Sequence, residues 1–152
     1  MTKTKRLRDL LAADGILVSP GVYDGYSVRL VEQMGFKTAC TTGAGMANSR
    51  LGVPDVGIMG LSDNVEACRM IARSVDIPVM ADADTGYGSP VTVFHTARYF
   101  EEAGVAGINI EDQVNPKRCG HMQGKEVIDA REMARKVEAA CDARRDDDFV
   151  IL

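Results

Sequence analysis

The stretch Ile77–Gly104, IPVMADADTGYGSPVTVFHTARYFEEAG, decides the fold. It opens on a short apolar run, Ile77 to Ala81, that stops at acidic and glycine residues and so reads as a buried strand. It continues into a punctuated helix: Ser89 as N-cap, Pro90 at the first helical position, Val91, Phe94, Ala97 and Phe100 at spacings of three, and Gly104 just past the end. A strand that feeds a helix in this way is one βα unit.

Outward from it the same alternation recurs. Further apolar runs lie at Ile16–Val18, Thr38–Thr42, Val105–Ile110 and Phe149–Leu152. Between them, Lys3–Ala13 predicts a leading helix and Asp24–Met34 the helix after the first strand. Val65, Cys68, Ala72 and Val75 form an apolar stripe after the cap candidate Ser62, and Met133, Val137, Ala140 and Cys141 form another before the charged run Arg144–Asp148. Five strands alternating with five helices give an α/β class with a parallel sheet. The fifth strand is cut off at Leu152, so the chain is expected to be truncated there. A (β/α)8 TIM barrel takes about 250 residues. Residues 1–152 would then be one incomplete barrel domain: the leading helix, about four βα units and the start of strand five. An open doubly wound sheet fits the spacing as well, although no GxGxxG follows the first strand, which disfavours its dinucleotide-binding version.

The 152 residues include 18 Lys plus Arg against 22 Asp plus Glu, and 45% are hydrophobic. That composition builds one domain with a core and excludes global disorder. A net charge of −4 argues against a nucleic-acid partner, which needs clustered cations. Asp9 and Asp14 interrupt the apolar residues after the basic N-terminus, so no signal-peptide core forms, and no segment reaches the roughly 20 apolar residues that span a bilayer. A cytoplasmic protein without a membrane partner is expected. Cys40, Cys68, Cys119 and Cys141 are widely spaced, with no CxxC pair, and read as free thiols.

Alternation along a strand places Asp82 and Asp84 of the DADTGYG segment on one face at the strand's C-terminal end. Two crowded carboxylates call for a cation or a proton between them. The next strand ends in Glu111 and Asp112, and neighbouring strands lie roughly 4.8 Å apart, so Glu111 can reach the same place. Single acids at strand ends are usually helix caps; three at corresponding ends of adjacent strands imply a hard divalent ion. Mg2+ takes one or two carboxylates directly and keeps waters. Asp84 is therefore the expected direct ligand, with Asp82 and Glu111 acting through water.

Asn115–Gly124, NPKRCGHMQG, sets Cys119 beside Lys117, Arg118 and His121 between glycines. Cationic neighbours lower a thiol's pKa from about 8.5, which suits a general acid or base on a mobile lid. The remaining cysteines read as small buried hydrophobes. Thr41–Ala47, TTGAGMA, offers backbone N–H groups to a carboxylate. Asp55 is a further candidate near the metal, and His95 reads as packing or surface.

The motifs SPGVYD (Ser19–Asp24), TTGAG (Thr41–Gly45), LGVPDVG (Leu51–Gly57), DADTGYG (Asp82–Gly88) and EDQ with PKRCGH (Glu111–His121) together resemble the isocitrate lyase and phosphoenolpyruvate mutase superfamily. The likeness is greatest to its 2-methylisocitrate lyase, dimethylmalate lyase and oxaloacetate hydrolase group, often labelled carboxyvinyl-carboxyphosphonate phosphorylmutase. It implies a (β/α)8 barrel of nearly twice this length, a homotetramer, and Mg2+ or Mn2+ as cofactor. The substrate would be a small 2-hydroxy or 2-keto dicarboxylate, cleaved at a carbon–carbon bond. Carried over by motif, Asp84, Asp82 and Glu111 would be the metal residues, and Cys119 the proton donor, with Arg118, Gly120 and His121 around it. Thr42, Gly43, Ala44, Asp55 and Tyr23 would bind substrate. Phosphonomutase chemistry at a P–C bond ranks second. Without an arginine segment and later strands the carboxylate clamp is incomplete, so the chain alone is expected to be inactive or to act only with a complementary half. A purely structural half-barrel is the competing reading.

Overall fold

The computed structural model describes all of residues 1–152. Helix α1, Lys3–Ala12, is capped by the Thr2 side chain and precedes the first strand, β1, Gly21–Val22. Four crossovers follow. Helix α2, Gly25–Gln33, leads to β2, Ala39–Thr41. A one-turn helix α3, Gly43–Met46, a π-helical turn, Ala47–Leu51, and α4, Leu61–Arg73, lead to β3, Val79–Asp82. Helix α5, Pro90–Ala103, leads to β4, Gly107–Asn109, and α6, Ala130–Ala143, leads to β5, Val150–Ile151.

All strands pair in parallel in the order β1-β2-β3-β4-β5. A doubly wound sheet reverses its strand order at a switch point; this one never does. Four successive right-handed crossovers in one direction place every intervening helix on the same face, the winding of a (β/α) barrel wall. The larger core lies on that face, where Val22, Val79, Ala81 and Ile108 meet Ile71, Val93, Phe100 and Ala140. Leu7 of α1 packs on the opposite face against Met80, Ala106 and Val150.

Two expectations need correction. Ile16–Val18 is not a strand: Ile16 is 94% exposed and Val18 56%, and the pairing begins at Gly21. Apolar content marked the run, but the ladder starts where Pro20 O accepts from Cys40 N–H and Val22 O accepts from Thr42 N–H. Ser62 is not a cap either; Gly60 occupies that position, and Ser62 lies inside α4. Ser89 does sit at the N-cap of α5, without a side-chain capping bond, and Gly104 closes that helix at φ +88°.

Candidate active site

The acidic residues gather at the C-terminal ends of β3 and β4, by a route that strand alternation does not describe. β3 ends at Asp82, Ala83 turns into the helix-side core, and Asp84 adopts a left-handed conformation, φ +48°. The turn brings the two carboxylates together from different backbone directions. A Cβ added to Gly43 would stand 2.9 Å from Asp82 Oδ2 and 3.6 Å from Asp84 Oδ1, so Gly43 leaves a space that both acids border.

Asp82 is held by backbone donors. Gly43 N–H donates to its Oδ2 and Asp84 N–H to its Oδ1, each at 3.0 Å. Thr42 caps α3 by accepting from Gly45 N–H. The TTGAG segment was expected to offer its N–H groups to a substrate, yet that of Gly43 is committed to the protein's own Asp82. Ala44 is half-buried, and Tyr23 is partly exposed, its Cβ 3.0 Å from where a Cβ on Gly45 would stand.

Asp84 is 5% exposed. Its Oδ2 accepts from the Tyr87 hydroxyl at 3.2 Å. Its Oδ1 is buried against the Lys117 side chain. The Lys117 ammonium lies 2.6 Å from that oxygen and 2.7 Å from Asp55 Oδ1, an ion pair shared between the two acids. Burial pushes the Asp84 carboxyl up, against the pull of Lys117. Burial would lower Lys117, but Asp55 and Asp84 outweigh it and hold the ammonium above its ordinary value. Glu111 is raised as well, by burial first, with Asp82 and Asp84 adding to the rise and Lys117 opposing it. Its carboxylate accepts from Gln113 Nε2 at 2.8 Å, and its N–H donates to Asp84 O at 2.7 Å.

Several of these residues escaped the sequence reading. Lys117 was counted only as a cation near Cys119, while its head group is buried between Asp55 and Asp84. Gln113 ties Glu111 to the next loop, its amide bonding the backbone N–H and O of Arg118. Asn64 and Tyr87 had no signal beyond their place in a helix and a motif.

Cys119 is half-buried, and its N–H donates to Asp55 O at 3.0 Å. The cations expected to flank its thiol are engaged elsewhere: Lys117 as above, and Arg118 Nη1 on Gln123 O. His121 is exposed. The segment is a flap closed at its base by an antiparallel bridge, Gln113 to Val127, with Lys125 Nζ gathering the carbonyls of Gly120 and Met122. His95 stacks against Phe94 and Tyr99, and all four cysteines are free.

No group of three or more His, Cys, Asp or Glu side chains converges as a direct metal cluster. The donors suit Mg2+ nonetheless, because that ion needs one or two carboxylates and fills its octahedron with water. Asp82 Oδ2 and Asp84 Oδ1 border the room that Gly43 leaves, and the Lys117 ammonium stands on that Asp84 oxygen.

The family model described as phosphoenolpyruvate phosphomutase matches residues 7–152. The chain is 41% identical to 2,3-dimethylmalate lyase of Eubacterium barkeri over 100% of its own length and 53% of the relative's. It is 44% identical to probable 2-methylisocitrate lyase 2 of Corynebacterium glutamicum over 98% and 48%. Among solved structures, oxaloacetate acetylhydrolase with the inhibitor 3,3-difluorooxalacetate superposes with a TM-score of 0.93 at 43% identity, over 99% of this chain and 52% of that one. Phosphonopyruvate hydrolase with oxalate and Mg2+ gives 0.87 at 34%, over 99% and 51%. The chain thus spans about half the length of the relatives it matches. On the family match and on these identities, it belongs to the phosphoenolpyruvate phosphomutase family, within the PEP mutase/isocitrate lyase superfamily.

Proposed function

We propose that the chain carries the metal-binding and carboxylate-binding half of a Mg2+- or Mn2+-dependent carbon–carbon lyase, acting on a 2-methylisocitrate-, 2-alkylmalate- or oxaloacetate-like dicarboxylate. Asp84 carries the reading: a buried carboxylate with one oxygen on the Tyr87 hydroxyl and the other on the Lys117 ammonium, which it shares with Asp55, and with Asp82 beside it. Lys117 alone neutralises Asp55 and Asp84, so the further acids at these strand ends favour a second positive charge.

Asp84 would hold the ion directly, and Asp82 and Glu111, already holding backbone and amide donors, would act through water. When bound, the cation draws electron density from the keto or carbinol oxygens and favours the charge that develops there. Lys117 holds Asp55 and Asp84 in place. Thr42, Gly43 and Ala44 line the carboxylate end of the substrate, and Asp55 and Tyr23 contact the substrate elsewhere, Asp55 near the metal. The Gln113–Val127 flap covers the site and excludes water. From that flap the Cys119 thiol gives its proton to the carbon released by bond cleavage, with Arg118 and His121 beside it. The domain is one incomplete barrel, and the whole protein assembles as a homotetramer. No nucleic-acid or membrane partner is invoked, in keeping with the acidic charge and with the lack of any helix long and apolar enough to cross a membrane.

The test is turnover of 2-methylisocitrate, 2,3-dimethylmalate and oxaloacetate with Mg2+, by the chain alone and joined to the remaining half of a relative. Cys119→Ala and Asp84→Ala are expected to abolish lyase turnover in the joined protein. Near-normal rates in either variant would remove that residue's role. The family's description favours a second reading, phosphoenolpyruvate or carboxyphosphonoenolpyruvate phosphonomutase chemistry. Phosphorus NMR of phosphoenolpyruvate incubations would reveal it. Inactivity on every substrate would leave a structural half-barrel.

A further inference from the structure

The flap from Asp112 to Ile128 is built as one piece. At its base Ile128 N–H donates to Asp112 O at 2.8 Å, Gln113 bridges Val127, and Val114 N–H donates to Glu126 O at 2.9 Å. Its tip closes on itself: Met122 N–H donates to Cys119 O, Lys125 Nζ to the carbonyls of Gly120 and Met122, and Arg118 Nη1 to Gln123 O. The Gln113 amide reaches up from the base and holds the backbone N–H and O of Arg118. A segment whose polar groups bond one another in this way opens as a unit.

Beyond the base, its polar contacts with the rest of the molecule are made by Lys117 and Cys119 alone. Both meet one residue of the loop before α4. Asp55 Oδ1 takes the Lys117 ammonium at 2.7 Å, and Asp55 O accepts from Cys119 N–H at 3.0 Å. Lys117 reaches further, to Asp84 Oδ1 at 2.6 Å. The tip from Gly120 to Glu126 is exposed and has no packing to keep it down, whereas the Lys117 side chain is 3% exposed. An ammonium drawn out of that seat leaves two acids behind, so the seat resists opening.

We propose that Lys117 is the latch of this flap: its ammonium, seated between Asp55 and Asp84, holds the whole piece down and sets where Cys119 stands. The seat and the thiol then move together, because Cys119 lies two residues along the same unit. When the ammonium leaves, the thiol leaves with it. The latch uses only this chain's own side chains and stands whether or not Cys119 is the proton donor of a lyase.

Amide hydrogen exchange of the 152-residue chain tests it. Lys117→Met removes the latch but also strands a buried carboxylate, so Lys117→Met combined with Asp84→Asn separates latch from stability. In this double variant the Val150 amide, bonded to Ala106 O, is expected near its wild-type rate, and the Cys119 amide about tenfold or more above its own. The Val114 and Ile128 amides at the base are expected to stay protected. Asp55→Asn keeps the carbonyl that Cys119 uses and weakens only the side-chain seat; it is expected to accelerate the Cys119 amide as well. Cys119 exchange within twofold of wild type in the double variant overturns the latch. Equal acceleration at Val150 would mean a general loss of stability, and equal acceleration at Val114 and Ile128 would mean a flap that unravels; either also overturns it. An unchanged Cys119 amide in D55N overturns the shared seat.

Discussion

Lys117 is the residue on which the electrostatics of the site turn. Its ammonium is 3% exposed and touches two acids, one of which, Asp84, is itself buried. Removing one member of a buried ion pair costs about 3–5 kcal/mol, because the partner is left uncompensated. Lys117→Met is expected to lower unfolding free energy by about that amount in urea titrations at neutral pH. Asp84→Asn in the same background should return a good part of it. The loss also depends on pH in a fixed direction. Burial raises the Asp84 carboxyl, so the folded chain binds that proton more tightly than the unfolded chain does. That contribution favours folding below about pH 4 and disappears as pH rises through the raised folded value. The deficit of Lys117→Met should therefore be smallest in acid and grow across that window; a pH-independent deficit would contradict the assignment. The thiols give a separate check. Burial pushes Cys40 up to about 11 and Cys68 up to about 12. At pH 8 roughly one molecule in a thousand or fewer carries either thiolate. Native-state labelling should thus modify Cys119 and Cys141 first and reach Cys40 and Cys68 only on unfolding.

The elements show why part of the molecule could be read from the chain and part could not. Helix α5 was legible because its signals are local: a proline that fits the first turn and a glycine at the C-cap. β1 was not, because two residues, Gly21 and Val22, are too few to carry a period, while the apolar residues that precede them are exposed. The closeness of Asp82 and Asp84 was anticipated from the sequence, but the left-handed turn that achieves it depends on contacts from helices distant in sequence. Lys136 of α6 makes one of these: it is 4% exposed, and its Nζ donates to Thr85 O at 3.1 Å. Nothing around Lys136 in sequence marks it as anything but a surface lysine. Lys136→Met should speed hydrogen exchange at Gly86 and Glu111, whose amides donate to Ala83 and Asp84 carbonyls, and leave α4 unchanged. Equal acceleration everywhere would reduce Lys136 to general stability. The β4–β5 junction has a similar hidden demand. A Cβ on Gly107 would fall 2.6 Å from Val150 O and 2.7 Å from Val150 Cβ, so Gly107→Ala must push β5 away. Overpacking of this kind costs about 1–3 kcal/mol, and exchange of the Val150 amide, which donates to Ala106 O, would report it directly.

At the scale of the molecule, the consequence of single-direction winding is that the two faces of the sheet have different fates. The crossover helices cover one face. On the other, the register aligns Gly21, Cys40, Met80, Gly107 and Val150 in one row, and α1 shields only part of it through Leu7. What remains is a cavity of about 210 Å3 lined by Leu7, Leu11, Leu17, Cys40, Met80 and Leu152, of which Leu152 is 69% exposed. β1 and β5 each pair on one side only, so both edges of the 152-residue sheet present unpaired backbone groups. An apolar face between two open parallel edges is the surface on which chains associate. The 152-residue polypeptide is therefore expected to self-associate with rising concentration, seen as a concentration-dependent mass in sedimentation velocity. Leu152→Lys together with Leu17→Glu, which charge the rim of that cavity and leave the acidic site untouched, should shift the distribution toward monomer. Joining the chain to the remaining half of a relative should suppress the same association without either substitution. A single monomeric species across the concentration range would mean that α1 and the edge residues already protect the inner face.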